Sequence, residues 1–280
     1  MLARVASPRA RHEPVALDRL DAQLAGAGLV AVEGGDGTVM AVTTALMAEA
    51  ARTGEPPPPV ILVAGGRTDL VARHLGCPRD PDAVARVIER GGRARTLRPL
   101  RVQDAEAVRH GWFLSTGAVP RAAAYAHEVV YGAGDRAAGA ASVAATLAGV
   151  LLSPRRLAEI AAPTPFRADL AGTAFGPGHR LMLATTLPRL MVGLDPFWGR
   201  GDAPVRVTLA RADSIKLRRT FARVWAGRVP RDAEARGYVS RTLARFAYET
   251  DGPTLLDGEA LTLAGRVAVT AGGPMRFLVP

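Results

Sequence analysis

Residues 28–46, GLVAVEGGDGTVMAVTTAL, constrain this chain more than any other stretch. Leu29, Val30, Ala31 and Val32 make a short, continuous apolar run with β-branched content, the pattern of a strand buried on both faces of a parallel sheet. Gly34, Gly35 and Gly37 then strip the turn of side chains, so that backbone N–H groups can approach an anion closely. A helix starting at Thr38 or Val39 would point the positive end of its dipole at that anion. A strand, glycine turn and helix in this order belong to an α/β fold.

Asp36 is the one side chain left inside the turn before Thr38. A carboxylate beside a phosphate is repulsive unless a cation lies between them or the carboxylate serves as a base, so GGDGT points to magnesium–nucleotide chemistry. A bare G-G-x-G would equally suit a plain strand-to-helix connection. The whole pentapeptide with its preceding strand resembles the nucleotide motif of the diacylglycerol kinase family, lipid kinases that include sphingosine and ceramide kinases. NAD kinases and some sugar-phosphate kinases share it, so the motif marks a superfamily.

A second unit follows the proline run at 53–59. Val60 to Val63 form another apolar strand, Ala64-Gly65-Gly66-Arg67-Thr68-Asp69 a turn, and Leu70, Val71 and Leu75 resume at helical spacing. It resembles the family segment in which Gly-Thr and Asn-Asp pairs precede a helix. Gly65 and Asp69 match; Gly66 stands for threonine and Thr68 for asparagine. Family chains also begin with a strand ending in Asn-Pro, for which Ser7-Pro8 is the nearest counterpart, and residues 13–25 leave room for one helix. The nucleotide domain is therefore expected to be shortened at its start.

Further on, residues 81–92 read as a helix and 93–101 as a basic connector. From Gly111 onward, short apolar runs alternate with glycine and proline turns, as in a sheet-rich domain, with helices expected near 137–152 and 214–226. Residues 190–198 concentrate large apolar side chains in a turn-rich stretch, suited to core packing or to an interfacial loop. At the end, Asp257-Gly258-Glu259 reads locally as a hairpin turn. Its order, with two short strands and a basic-apolar finish, resembles the way diacylglycerol kinase family chains end.

The expected fold is thus an α/β nucleotide-binding domain of NAD kinase/diacylglycerol kinase type, residues 1–95, plus a β-rich, sandwich-like domain, residues 96–280, whose last strand returns to the first domain. The resemblance implies a lipid kinase using ATP and Mg2+. Gly34, Gly35, Gly37 and Thr38 would bind the nucleotide, with Gly65, Gly66, Thr68 and Asp69 as a second contact. Asp36, Asp257 and Glu259 would be catalytic; Asp36 and Glu259 would also serve the metal, and Asp36 and Asp257 compete for the role of base. A soluble-metabolite kinase of NAD kinase type and a catalytically silent lipid-binding protein are the alternatives.

Composition narrows the partners. The formal net charge is +10 over 280 residues, carried almost wholly by arginine because Lys216 is the only lysine. Such a charge suits either an ordinary basic surface or one that attracts phosphates or an anionic bilayer, the partner expected here. With 5% aromatic residues and no recognisable nucleic-acid module, nucleic acid is not the expected partner. One cysteine, Cys77, excludes an internal disulfide and fits a reducing compartment. The five histidines lack metal-ligand spacing. No stretch suits a signal peptide or a bilayer span, so the expectation is a cytoplasmic protein that associates peripherally with a membrane around its lipid substrate.

Overall fold

The computed structural model describes residues 26–66, 68–132, 149, 150, 152–190, 195–225, 227–229 and 232–280, together with Leu20 and Leu24. The strand expected at 2–6, the Ser7-Pro8 site and most of the helix at 13–25 lie outside these residues, although Leu20 and Leu24 are helical and buried. The helix expected at 137–152 also falls largely outside them, as do residues 191–194 of the apolar loop.

Two sheets organise the described residues. The first has the order β1-β2-β16-β3, with β1 at Val30–Gly34, β2 at Val60–Ala64, β3 at Arg93–Leu97 and β16 at Met275–Val279. β1 pairs in parallel with β2, and β16 lies parallel to β2 and antiparallel to β3. Every residue of β2 is buried, as its unbroken VILVA run requires of a strand covered on both faces. Helix α1, Asp36–Thr53, starts directly after β1 and ends at Gly54, whose left-handed backbone (φ 76°) lets its N–H return to the Ala50 carbonyl. Helices α2, Leu70–Leu75, and α3, Pro81–Arg90, follow β2.

The expected connector at 93–101 is instead β3 and the start of β4, Leu100–Gln103. β3 reads RARTL and exposes four of its five residues. Its arginines keep an edge strand soluble, and this hides it from any search for apolar alternation.

Among the described residues, the second domain forms one curled sheet of twelve strands. Along its main path run β14 (Glu259–Leu261), β13 (Thr254–Leu256), β6 (Phe113–Gly117), β9 (Gly178–Thr185), β7 (Thr164–Leu170), β12 (Arg245–Thr250), β15 (Val267–Ala271), β4 and β5 (Val108–Gly111). β10 (Val205–Arg211) and β11 (Tyr238–Leu243) branch from β9, and β8 (Thr173–Phe175) from β7. β7 alternates buried and exposed residues almost perfectly, the sign of a strand with one face in a core and the other in water. Leu100, Phe166, Met182, Leu209, Phe246 and Val269, from six different strands, share that core.

Among the described residues, the helices α4 (Ala118–Gly132), α5 (Pro154–Ile160) and α6 (Leu217–Trp225) accompany this sheet. Only α6 matches an expectation. The alanines of α4 give no apolar stripe in the sequence, only small side chains such as Ala118 and Ala122 in a satellite cluster.

The two domains are joined beside α1. The Thr44 hydroxyl accepts the His110 N–H at 2.9 Å and donates to the His110 carbonyl at 3.2 Å, fastening the helix to β5. Trp112 and Phe277 meet edge to face, with ring centroids 5.8 Å apart, and so tie the last strand to the entrance of the second domain.

Candidate active site

The first intrahelical bond of α1 runs from the Val39 N–H to the Gly35 carbonyl. Helix α1 therefore begins at Asp36, earlier than expected, and the amides of Asp36, Gly37 and Thr38 belong to the first turn, where a helix leaves donors unpaired. Gly35 is the N-cap and offers no side-chain acceptor. These amides are the donors on which an anionic group could sit.

The two glycine turns lie directly against one another. The Gly65 N–H donates to the Gly34 carbonyl at 3.2 Å, and a Cβ on Gly66 would run into the Cα of Gly35. This explains why glycine stands at 66, where the family has threonine: the neighbouring backbone occupies the volume a side chain would need.

Asp36 bridges the turns. Its Oδ2 accepts the Thr68 hydroxyl, and its Oδ1 accepts the Leu70 N–H at 2.7 Å, at the start of α2. Burial raises its pKa; the Thr68 and Leu70 hydrogen bonds work against that rise, and the charge of Asp69 adds to it. Thr68, which replaces an asparagine, thus serves Asp36. Asp69 is turned into the fold in a left-handed conformation (φ 47°), where its Oδ1 accepts the Gly66 N–H at 2.7 Å and its Oδ2 pairs with Arg79 at 3.1 Å.

The second domain brings up the other two carboxylates. β13 and β14 are joined by Asp257 and Gly258, both with positive φ, 52° and 91°, the backbone of a tight two-residue hairpin. The Asp257 carboxylate points inward: Oδ1 accepts the N–H groups of Trp112 at 2.9 Å and Phe113 at 2.8 Å. Burial pushes its pKa up to about 8; the two amides pull the other way, and the charge of Asp36 adds to the rise. Glu259, two residues on, is exposed and reaches back over the first domain, its carboxylate filling the space a Cβ on Gly37 would need. It has no hydrogen-bond or ion-pair partner among the described residues.

Asp36, Gly37, Asp257 and Glu259 thus come together from the two ends of the sequence, with Gly34, Gly35, Gly65, Gly66, Thr38 and Thr68 around them. Among the described residues, no three His, Cys, Asp or Glu side chains gather as a metal cage. Magnesium, however, commonly takes one or two protein carboxylates and completes its shell with phosphate oxygens and water. The unpaired Glu259 fits that role better than Asp36, whose two oxygens already hold protein donors. The backbone amides of Trp112 and Phe113 were beyond sequence reading, because a main-chain donor has no residue identity.

Residues 8–102 match the family described as diacylglycerol kinase catalytic domain. The first domain belongs to that family. The Asp257–Glu259 hairpin lies outside the matched residues, so its place in the site rests on the tertiary structure. No curated protein matches the chain by sequence. Among solved structures, it is similar to a diacylglycerol kinase from Bacillus anthracis str. Sterne, at 13% identity with a TM-score of 0.60, covering 94% of this chain and 80% of the other. A candidate diacylglycerol kinase from the same strain aligns with a TM-score of 0.65 at 15% identity, covering 94% and 82%. At such identities the likeness is one of fold, and it extends over both domains.

Proposed function

We propose that the protein is a lipid kinase that transfers the γ-phosphoryl group of ATP to the hydroxyl of a lipid such as diacylglycerol or ceramide. The observation that carries this reading is the meeting of Glu259 and Gly37: a carboxylate from the second domain is laid on the glycine turn where phosphates would sit. Phosphoryl transfer is chiefly positioning and charge neutralisation, and the site offers groups for both.

The first-turn amides of Asp36, Gly37 and Thr38 would receive the nucleotide phosphates, with Gly34, Gly35, Gly65 and Gly66 keeping the two turns free of side chains around them. Magnesium arriving with ATP would take Glu259 as its protein carboxylate and would offset charge on the transferred group. Thr68 and the Leu70 amide hold Asp36 in place. Asp257 is the better base of the two aspartates, because its raised pKa lies near neutral pH, where a base is most effective. It would take the proton of the acceptor hydroxyl as that oxygen bonds to the γ-phosphorus; the bond from phosphorus to the bridging oxygen breaks, and ADP leaves.

The test is transfer of radiolabelled phosphate from magnesium-ATP to diacylglycerol, ceramide, a sphingoid base and NAD in mixed micelles. A labelled lipid is the expected product. Label on NAD alone would replace this reading with a soluble-metabolite kinase, and no product at all would leave a silent lipid-binding protein.

A further inference from the structure

Between Asp213 and Asp232 the sequence has no acidic residue and six basic ones, Lys216, Arg218, Arg219, Arg223, Arg228 and Arg231. The first five are exposed and lie on or beside α6. None of these five side chains has a hydrogen-bond acceptor or carboxylate partner among the described residues. Elsewhere the arginines are commonly engaged: Arg52, Arg79, Arg109, Arg206, Arg211 and Arg236 each hold a carboxylate. The flanking acids offer no relief, since Asp213 pairs with Arg211 and Asp232 with Arg236.

This cationic face is bracketed by two exposed aliphatic side chains, Ile215 at 52% and Val229 at 48% exposure. Ile215 is presented on fixed backbone: its N–H donates to the Arg236 carbonyl at 3.2 Å, and its carbonyl accepts the Tyr238 hydroxyl at 2.8 Å. At the other end Gly227, left-handed at φ 67°, closes the helix, and the Arg228 N–H returns to the Arg223 carbonyl at 2.8 Å.

We infer that this face of α6, with Ile215 and Val229 at its ends, docks on an anionic lipid surface. Unpaired arginines attract the headgroup charge, and the aliphatic pair can enter the boundary between headgroups and acyl chains. Unpaired cations alone would suit nucleic acid equally; the rigidly displayed Ile215 has no use there. Among the described residues no helix is long and apolar enough to cross a membrane, so attachment by this face would be peripheral.

The placement suits a lipid acceptor and to that extent rests on the lipid-kinase reading. Leu217 of α6 packs into the cluster of Ala118, Ala122 and Leu181, and Leu181 pairs with Gly117 at the end of β6. Phe113, whose amide holds Asp257, is four residues back along that strand, about 13 Å at about 3.3 Å per residue.

The test is sedimentation of the full chain with vesicles of phosphatidylcholine containing phosphatidylglycerol, against pure phosphatidylcholine. The triple variant Arg218→Gln, Arg219→Gln, Arg223→Gln is expected to lose about 100-fold in partitioning to the anionic vesicles, since each basic residue near such a surface contributes roughly a five-fold factor. Ile215→Asn with Val229→Asn is expected to weaken the binding that survives at high salt. The exposed pair Arg155→Gln, Arg156→Gln controls for net charge and should bind like wild type. Undiminished vesicle binding by the triple variant would overturn the assignment, as would preference of the wild type for a single-stranded oligonucleotide. Charge-dependent vesicle binding in a protein that labels no lipid in micelles would support the surface while removing the kinase reading.

Discussion

The carboxylate of Glu259 occupies the space beside Gly37 that any larger residue at 37 would take. Residues 222 positions apart in the sequence therefore define one wall of the site, and the wall exists only because one of them lacks a side chain. Gly37→Ala should leave the fold intact, because alanine suits a helix and Glu259 is a flexible neighbour, with a stability change under about 1 kcal/mol. Turnover should fall by about tenfold or more as Glu259 is displaced. In a Glu259→Ala background the same change should cost little, and kcat/KM across the four-member cycle checks this; equal losses in both backgrounds would show that the two residues do not act together.

Asp36→Asn should abolish phosphoryl transfer while the far-UV circular dichroism stays that of the wild type. Asparagine keeps an acceptor for the Leu70 amide but loses the charge set between the two turns. Thr68→Val should remove a hydrogen bond to a charged group and lower stability by about 1–2 kcal/mol, whereas Thr68→Ser should restore it. Wild-type turnover in the Asp36→Asn protein would remove this residue from the site.

Asp257 predicts a pH dependence with a definite sign. Its folded pKa, about 8, lies above the ordinary aspartate value, so the native state holds a proton that the unfolded state has already lost. Its contribution to stability is present in full below about pH 4 and declines as pH rises to about 8. Thermal melts of wild type and Asp257→Asn across this range should show the variant gaining on the wild type with rising pH. The wild-type kcat/KM should climb toward a plateau above about pH 8 as the base deprotonates; a plateau already reached at pH 5 would assign the proton transfer elsewhere.

Gly66→Thr, which installs the residue found in the family motif, should be harmful here. The threonine side chain would meet the Gly35 backbone, and a cost of about 2 kcal/mol or more is expected of such overpacking. Denaturant melts and nucleotide binding should both report the loss. An unchanged melt would mean that the two turns can separate freely.

The sequence by itself determined the local half of this protein. The apolar runs at Val30 and Val60 were legible as strands, although only β2 is buried throughout while β1 mixes buried and half-buried residues, and the glycine turns after each were legible as backbone-lined, because hydrophobicity and missing Cβ atoms act at short range. Asp36 was legible for the same reason: it stands alone among glycines. The β3 strand and α4 were illegible, since RARTL and an alanine-rich run lack the contrast that periodicity needs. Tertiary structure decided the rest. It turned Asp69 inward to close a loop, gave Thr68 to Asp36, and buried Asp257 under the amides of Trp112 and Phe113. These outcomes depend on which backbone groups lie across a contact, and backbone groups are the same in every residue. Only the folded chain, by packing the β13–β14 hairpin of the second sheet against the first domain, could place Glu259 on Gly37.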